Sequence, residues 1–384
     1  MSINLSRNTR LWVSSVTTGH DNTNTFEIPI QEDYDIGQGV NTSDVSIDEA
    51  GPKPSRGSRR FNDSLNPVDW SFSTYTTPYL ATNHYLVDML LWHALAVGES
   101  VAPDFTNTAT DSPVCGDPTK FKVQFGKNSE HVLSPIHLYF KIDNQMYLIE
   151  NAQVAQAEIG IDISDIFQVA WSGQGTEYVE IADPAFVDSD GSNGLDYVAT
   201  AGTSDKYVKV SPAKKYLVNK LTILDFNSDA APGGVNDNYS IPITGASVTI
   251  ANNITYLTPS TLSEVDKPIG SFTGGFEVSG SLNAYLRKTG GDGTTATPYG
   301  AAELLSHMLD QLGNTVVNES NIVLHVGGKT PGKQVATITI PLAHITLPTL
   351  EKDDVMSTTI EFKGIGSSSD MQSGDEIFFE FKAS

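Results

Sequence analysis

The sequence of 384 residues has a single cysteine, Cys115, and no long apolar run. One cysteine excludes an internal disulfide framework, and no local signature supplies the base that a nucleophilic cysteine needs. No apolar run reaches the length that spans a membrane. The N-terminal stretch MSINLSRNTRLW also lacks the apolar region of a secretory signal, so we expect the protein to fold in a cytoplasm.

Basic residues are also scarce, because 23 lysines and arginines stand against 46 aspartates and glutamates, for a formal net charge of −23. A protein that reads nucleic-acid sequence needs cations to neutralise phosphates, so this balance argues against that class. It suits a soluble protein, or a surface to which DNA does not adhere.

Motifs for catalysis and metal binding are missing as well. The eight histidines are scattered, without H-E-x-x-H or a His/Cys pattern of zinc-ligand spacing. The stretch at 188–199 begins like an EF-hand loop, but Asn193 and Ala199 stand where glycine and glutamate are required, so an acidic turn is favoured over a weak ion site. We predict no catalytic residue, no metal site and no cofactor, and we do not expect an enzyme.

The composition and the local residue pattern of the sequence predict a mainly β protein. Charged residues make up only 18% of the chain, which argues against an ion-rich helical protein. Aromatic and β-branched residues occur in short alternating bursts, separated by segments rich in Ser, Thr, Asn and Gly, as expected for many short strands joined by turns.

An internal repeat organises the chain. FEIPI at 26–30 returns as YSIPI at 239–243, and a polar stretch rich in Gly and Pro follows each copy. An alternating strand comes next in both halves, DWSFSTY at 69–75 and GFEVSGSL at 275–282. A helix, a hairpin and a closing strand with G-x-G then follow in the same order, and we predict a duplicated domain from these landmarks.

The two predicted helices, 85–98 and 301–313, differ in amphipathicity. The first is apolar nearly all round and needs a cover on its second face, for which the insertion at 99–136 is a candidate. The second has an apolar stripe opposite Glu303 and other polar residues, which is typical of a surface helix packed on a sheet. The Gly-rich stretch at 289–300 lacks the Lys-Ser/Thr of a phosphate loop and is predicted to be a flexible strand-to-helix loop.

These landmarks divide the chain into a first domain at 1–175, a linker with a small β element at 176–212, and a second domain at 213–384. The insertion at 99–136 belongs to the first domain. Each domain is expected to contain two packed antiparallel sheets, sandwich-like or barrel-like, with one flanking α-helix.

One cluster of basic residues stands out in this acidic chain. Residues 51–62 carry no acid, and four cations fall within eight positions: Lys53, Arg56, Arg59 and Arg60. A solvated loop or a nucleic-acid patch remains an alternative. The preferred interpretation is an arm that contacts an acidic face of another subunit, because opposite charges set the register of an interface.

The chain resembles the tail tube proteins of long-tailed bacteriophages in the order in which these features follow one another. NLSRNTRLWVSSV, GSRRFNDSLNPVDWSFSTY and DDVMSTTIEFKG carry the likeness, which covers nearly the whole chain as two consecutive tube domains. The resemblance implies rings whose inner strands join into one β-barrel and which stack into a hollow tube. It assigns ring stacking to long loops at 44–67 and 256–274, and places Trp70, Phe72, Phe276 and Val278 on inner-sheet strands.

The resemblance also implies the partners and the location. A duplicated chain would form a ring from three copies with pseudo-sixfold symmetry, a homotrimer. Partners would be further copies, the tape measure, the tail tip or baseplate, the terminator, and passing viral DNA bound without sequence specificity. The protein would assemble in the bacterial host cytoplasm and reside in the virion tail.

Other classes remain open at this stage. A carbohydrate-binding or host-adhesion β-protein of a virion would show exposed aromatics along a groove. An acidic hydrolase would show a close carboxylate pair with perturbed pKa values in a cleft. A secretion-system tube and a tail terminator are related structural alternatives.

Overall fold

A computed structural model describes residues 9–18, 20, 24–46, 57–81, 84–99, 114–117, 120–125, 132–143, 145–182, 216–228, 237–258, 267–311, 319–330, 334–351, 355–366 and 374–382. The first-half strands are β1 (Thr9–Ser14), β2 (Thr25–Ile28), β3 (Asp35–Ser46), β4 (Ser58–Tyr75), β5 (Pro78–Ala81), β6 (His84–Leu86), β7 (Val114–Asp117), β8 (Lys120–Gln124), β9 (Ile136–Ile142), β10 (Gln145–Asp162), β11 (Gln168–Gly175) and β12 (Glu177–Ile181). The second-half strands are β13 (Ile223–Ser228), β14 (Asp237–Tyr239), β15 (Ile243–Ala251), β16 (Thr255–Leu257), β17 (Gly270–Phe272), β18 (Glu277–Tyr285), β19 (Glu319–Val326), β20 (Val335–Ile345), β21 (Thr349–Glu351), β22 (Ser357–Gly364) and β23 (Phe378–Lys382). The helices are α1 (Met89–Ala96) and α2 (Ala301–Gln311). The chain is mainly β, as predicted.

The two halves share an order of strand pairings. In the first half, antiparallel pairs join β1 to β2, β1 to β9, β9 to β10, β10 to β11, β10 to β12, β11 to β4, and β4 to β3. In the second half, the corresponding pairs join β13 to β14, β13 to β19, β19 to β20, β20 to β22, β20 to β23, β22 to β18, and β18 to β15. Each pairing of the first series has a counterpart in the second.

A joint between the halves produces one long sheet. Gln156 to Asp162 of β10 pair with Ala251 to Gly245 of β15. The strand order is therefore β3, β4, β11, β10, β15, β18, β22, and then β21 with the end of β20. We call this the long sheet.

Alternation along these strands puts one face of the long sheet in the core. Trp70 and Phe72 of β4, Trp171 of β11, Ile159 of β10 and Val248 of β15 are all buried. The intervening residues of each strand point to the other face, because successive side chains of a strand alternate. A single hydrophobic cluster includes residues from both halves.

Helix α1 lies inside this core, and all of its residues are buried. The ring of Trp92 contacts the rings of Trp171, Phe379 and Phe381 at centroid distances of 5.0, 4.6 and 5.6 Å. Since Phe379 and Phe381 belong to β23, the helix of the first half packs on a strand of the second. Strand β8, from the predicted insertion, pairs with β23 and adds Phe121 to the same core.

The start of α1 differs from the prediction. Residues 84–86 form strand β6 rather than the first turn of a helix, and the helix ends at Ala96. Asp88, which precedes the helix, is buried and accepts hydrogen bonds from the hydroxyls of Thr76 (2.7 Å) and Thr74 (3.3 Å). Burial raises the pKa of the Asp88 carboxyl to about 6.

The loop before α2 is organised by Glu303, which was predicted to lie on the solvent face of the helix. Its carboxylate is buried and accepts hydrogen bonds from the backbone N–H groups of Thr289 (3.0 Å), Gly290 (2.6 Å) and Gly300 (3.0 Å). Burial alone would raise its pKa, but these hydrogen bonds outweigh burial and hold the pKa of Glu303 below its usual value. The glycine-rich loop is thereby fastened to the helix.

Candidate functional site

The face of the long sheet that points away from the core is covered by small polar and acidic side chains. We call it the polar face. The strand registers place on it Asp35, Asp69, Ser71, Ser73, Gln156, Glu158, Asp162, Gln168, Ser172, Ser247, Thr249, Glu277, Ser279, Ser281, Asn283, Thr359, Glu361 and Lys363. Because the two halves are joined edge to edge, this face is continuous across the chain.

The polar face carries negative charge. Its acids are Asp35, Asp69, Glu158, Asp162, Glu277 and Glu361, and the lysine among the named residues is Lys363. Lys363 Nζ lies 2.7 Å from Glu277 Oε1, and among the described residues the other carboxylates of this face have no lysine or arginine in an ion pair with them. The N–H and hydroxyl of Ser164 donate to Asp162 and lower its pKa, which keeps this carboxylate ionised.

An open depression of about 390 Å³ lies on the polar face where β10 bulges between Val154 and Gln156. Its lining includes Asp35, Asp69, Gln156 and Gln174. Trp70 also borders the depression, but its side chain is only 2% exposed, so the depression does not present an aromatic surface of the kind that binds sugars.

The two outermost strands of the long sheet each pair on one side within the part of the chain that the structure describes. At one edge, β3 pairs with β4. At the other edge, β21 pairs with β22, as does Ile345 at the end of β20, whereas the preceding Ala343 and His344 also pair with β19 and are not part of the open edge. Such edges present backbone N–H and C=O groups to any further strand of compatible direction.

Two hairpins extend from the same end of the long sheet. The first arm comprises Val40–Ser46 of β3 and Ser58–Asn66 of β4, and the second comprises β16 and β17. At about 3.3 Å per residue, the seven residues of β3 in the first arm project about 23 Å beyond the sheet. We call this end the arm end, and the opposite end, where Tyr75 faces Gln168, the turn end.

The predicted stacking segments are therefore hairpins rather than loops over the described residues. In the first arm, the Arg60 guanidinium Nε lies 2.8 Å from Asp44 Oδ1 and holds the pKa of that carboxyl below its usual value. The Asn41 amide donates to Ser64, and the hydroxyl of Ser43 donates to Asp63. These polar cross-strand contacts stabilise a ribbon that is mostly polar, with Val45 and Phe61 exposed on one of its faces.

The base of the second arm is anchored on the first half. The hydroxyl of Tyr256 shares its single proton between the carbonyl oxygens of Asn151 (2.8 Å) and Gln174 (2.9 Å). Lys267 Nζ, beside β17, lies 3.6 Å from a carboxylate oxygen of Glu150 and forms a second ion pair with Glu177. Both arms are thus fixed at the same end of one continuous sheet.

The structure places the predicted site residues as follows. Trp70, Phe72 and Val278 lie on strands of the long sheet with their side chains in the core. Phe276 precedes β18, is half-buried and stacks on Phe125 with ring centroids 5.1 Å apart. Arg59 and Arg60 lie in the exposed part of the first arm, whereas Lys53 and Arg56 lie outside the described residues. The contact of these four cations with another ring remains a prediction.

Among the described residues, no group of His, Cys, Asp or Glu side chains is arranged to hold a metal ion. The acidic stretch at 188–199 lies outside them. In the same part of the chain, no helix is both long and apolar enough to cross a membrane. The features that stand out are therefore surfaces: a polar face, two edges and two ends.

Comparison with known proteins gives two matches. A family model described as phage tail tube protein matches residues 10–364. The chain is 41% identical over 388 residues to tail tube protein pb6 of Escherichia phage T5, in an alignment that covers all of this chain and 76% of pb6.

Proposed function

Because the chain belongs to the phage tail tube protein family, we propose that it builds the tube from rings of three copies, each copy supplying two tandem domains. Its role is structural, as the major tail tube protein of a virion tail, and it is not an enzyme. The proposed domains are 1–175, with the insertion at 99–136, and 213–384. Strand β12, in the intervening segment 176–212, pairs with β10 of the first domain.

The observation that carries this proposal is the joint between β10 and β15. Strand β3 corresponds to β15, because β3 pairs with β4 and β15 pairs with the equivalent strand β18. The end of β20 together with β21 corresponds to β10, because they pair with β22 as β10 pairs with β11. Each chain therefore contains one such joint, between β10 and β15. The strands equivalent to this pair, β20 with β21 and β3, lie at the two outer edges of the long sheet, where they could form the same joint with neighbouring copies. Joining these edges between copies would repeat the internal geometry and leave neither edge of the long sheet open in a closed ring.

The internal joint also predicts the register between copies. Glu158 faces Thr249 across it. Glu158 pairs with Ala170 of β11, and the position of β22 equivalent to Ala170 is Glu361. The N–H of Thr346 donates to the carbonyl oxygen of Glu361, so Thr346 is the counterpart of Glu158. Asp35 is likewise the counterpart of Thr249, since each faces the equivalent serine on the next strand. We expect Asp35 of one copy to face Thr346 of its neighbour.

Paired cysteines test this register. In a Cys115→Ser background, D35C with T346C is expected to give disulfides between copies under oxidising conditions, because facing residues of paired strands lie about 4.5–5.5 Å apart, within disulfide reach. Non-reducing gels would show a ladder that ends at three chains. The matched control, E158C with T249C, should form its disulfide inside one chain and leave the mass unchanged.

The possible results separate the parts of the proposal. A ladder that continues to six chains would contradict the three-copy ring while keeping the edge joint. Failure of D35C/T346C to cross-link in assembled material, with the E158C/T249C disulfide formed, would overturn the joint itself.

We further propose that the polar face lines the channel through which viral DNA passes without sequence-specific contacts. Its uncompensated carboxylates would repel phosphates, and the core-facing aromatics would stay hidden from the bases. Tape measure, tail tip or baseplate and terminator proteins are the expected further partners, with assembly in the host cytoplasm.

Reversing charge on the polar face is expected to make tubes retain DNA. E158K with E361K would place two lysines of each copy against the phosphates, and the resulting DNA binding should weaken about 10³-fold between about 50 and 200 mM salt. Short duplex DNA co-sedimenting with assembled tubes measures this. The control E180K with D310K makes the same change of net charge on exposed residues outside the polar face, and equal retention by both variants would contradict the channel assignment.

A further inference from the structure

The two strands of the internal joint are regular. Residues Gln156 to Asp162 of β10 face Ala251 to Gly245 of β15 without a break in register. On their far sides, β10 pairs with β11 from Gln156 to Gly160, and β15 pairs with β18 from Gly245 to Ala251, again without a break. Each strand of this joint therefore offers the other an unbroken row of backbone groups.

The equivalent edge at β20 and β21 is interrupted. Ile345 faces Phe362 of β22, and Thr349 faces Thr359 of the same strand. Four steps along the edge thus match three steps along β22, so one residue is extra, and residues 346–348 belong to no strand. An extra residue of this kind bends an edge strand and breaks its ladder. The last residue of the interruption is a proline, which has no N–H with which to pair.

The edge at β3 is interrupted as well. Asp35, the first residue of β3, faces Ser71 of β4, whereas Ile30 faces Thr74 in an isolated bridge. Five steps along this edge match three steps along β4, so two residues are extra, and residues 31–34 belong to no strand. Both outer edges of the long sheet therefore lack the regularity of the internal joint.

Residues 31–34 and 346–348, which we call the edge segments, would meet across the joint between copies. Asp35 of one copy is expected to face Thr346 of its neighbour, and the equivalent internal strands run antiparallel. The rest of one edge segment therefore lies opposite the rest of the other. Because both edges are irregular at facing positions, this joint has few regular pairs available, in contrast with the seven consecutive pairs inside the chain.

The side chains of the edge segments are also less covered than their internal counterparts. Across the internal joint, Ile159 and Val248 face each other and are fully buried. Counted from Thr346, Leu347 corresponds to Ile159, and it is 42% exposed. Tyr34 corresponds to Val248 and is only partly buried. A neighbouring copy would complete the cover of these two apolar side chains.

Resting on the proposed ring, we infer that the edge segments act as an assembly switch. They are irregular in the free chain, and they become strands against each other when two copies join. Ordering a backbone costs conformational entropy, which the internal joint meets during folding and the joint between copies meets at assembly. Two free copies form this joint alone and bind weakly. A copy that adds to a growing tube gains its other contacts at the same time, so addition to a started tube is favoured.

Repairing one edge segment tests the switch. Deletion of Leu347 together with Pro348→Ile gives this edge as many residues as the facing part of β22 and restores an N–H. We expect rings and tubes at a protein concentration about tenfold lower than for the unmodified chain, because two added hydrogen bonds per joint are worth about this factor. Light scattering over a concentration series, with electron microscopy, measures the effect. Pro341→Ala, which restores an N–H elsewhere in β20, is the matched control and should leave this concentration unchanged.

Hydrogen exchange follows the switch directly. Peptides that cover residues 31–34 and 346–348 should exchange quickly in the free chain and be protected in tubes. A peptide that covers residues 156–162 of the internal joint should be protected in both states, because its strands are already paired. Equal exchange of the edge segments in free chains and in tubes would contradict the switch.

The remaining outcomes separate the switch from the ring. Absence of the D35C/T346C disulfide in assembled unmodified chain would contradict the proposed joint itself. If that disulfide forms, but the repaired variant assembles at the same concentration as the unmodified chain, the switch is overturned and the ring is kept. Aggregates of the repaired variant in which the same two cysteines do not cross-link would also overturn it, since the interruption would then protect against other strands.

A variant that keeps the chain length covers the case in which the deletion prevents folding. Pro348→Ala restores the N–H without changing the number of residues, so it carries the same expectation with a smaller effect. We expect a concentration for assembly about threefold lower than for the unmodified chain, the worth of about one hydrogen bond per joint. A folded Pro348→Ala chain that assembles no more readily than Pro341→Ala would overturn the switch.

Discussion

Truncation of Trp92 to alanine is expected to lower the free energy of unfolding by about 3–5 kcal/mol, the range for a fully buried aromatic side chain. Trp92 is fully buried and contacts Trp171 of the first half together with Phe379 and Phe381 of the second. The cavity would therefore open between the two halves, where neither half alone can collapse to fill it.

Urea unfolding of the unassembled chain, followed by far-ultraviolet circular dichroism, measures this effect. Leu309→Ala on α2 is the control, because Leu309 is 49% exposed and its truncation removes little buried surface. A loss below about 1 kcal/mol for Trp92→Ala would contradict a core shared by both halves. Two separate unfolding transitions would do the same.

A methyl group at position 173 is expected to lower the free energy of unfolding by a similar amount. A Cβ on Gly173 would lie 2.1 Å from the carbonyl oxygen of Gln153 and 2.4 Å from the ring of Trp70. Neither a paired strand nor a buried tryptophan ring can move freely, so Gly173→Ala should cost about 3 kcal/mol, at the upper end of the usual range for overpacking.

Gly160→Ala provides the matched comparison on the adjacent strand. An added Cβ at Gly160 meets nothing within 4 Å, so this substitution should change the free energy of unfolding by less than about 0.5 kcal/mol. Equal urea midpoints for the two variants would show that the close approach of Gly173 to Gln153 is not a constraint.

The sequence predicted the elements that have a hydrophobic side. The alternation of DWSFSTY places Trp70 and Phe72 in the core as expected, and the predicted hairpin after each helix forms, from β9 with β10 and from β19 with β20. These signals are local, because a strand or turn is encoded within a few residues.

The arms and the start of α1 were not predictable by the same means. The first arm is held by polar pairs such as Asp44 with Arg60, so it has no apolar period that would reveal a strand. Residues 84–86 carry an apolar pattern that a helix could also use, but they pair with β5 instead. In both cases a partner strand decides the conformation.

The joint between the halves depends on long-range contacts. Strands β10 and β15 pair across about ninety positions of the chain, and each reads in isolation as an ordinary alternating strand. Glu303 is a similar case, since its helical position indicates solvent while the N–H groups of the preceding loop draw it inside. Neither arrangement can be recognised without knowing which backbone groups would otherwise lack partners.

The internal joint of β10 with β15 also changes the thermodynamics of assembly. Each association between free molecules loses translational and rotational entropy, at a cost on the order of 4–15 kcal/mol. In the proposed ring of three copies, every second joint would form when the chain folds and would carry none of this cost. The remaining joints can therefore bind more weakly than those of a ring built from single-domain subunits, which leaves room for a chain that stays unassembled until a tail is started.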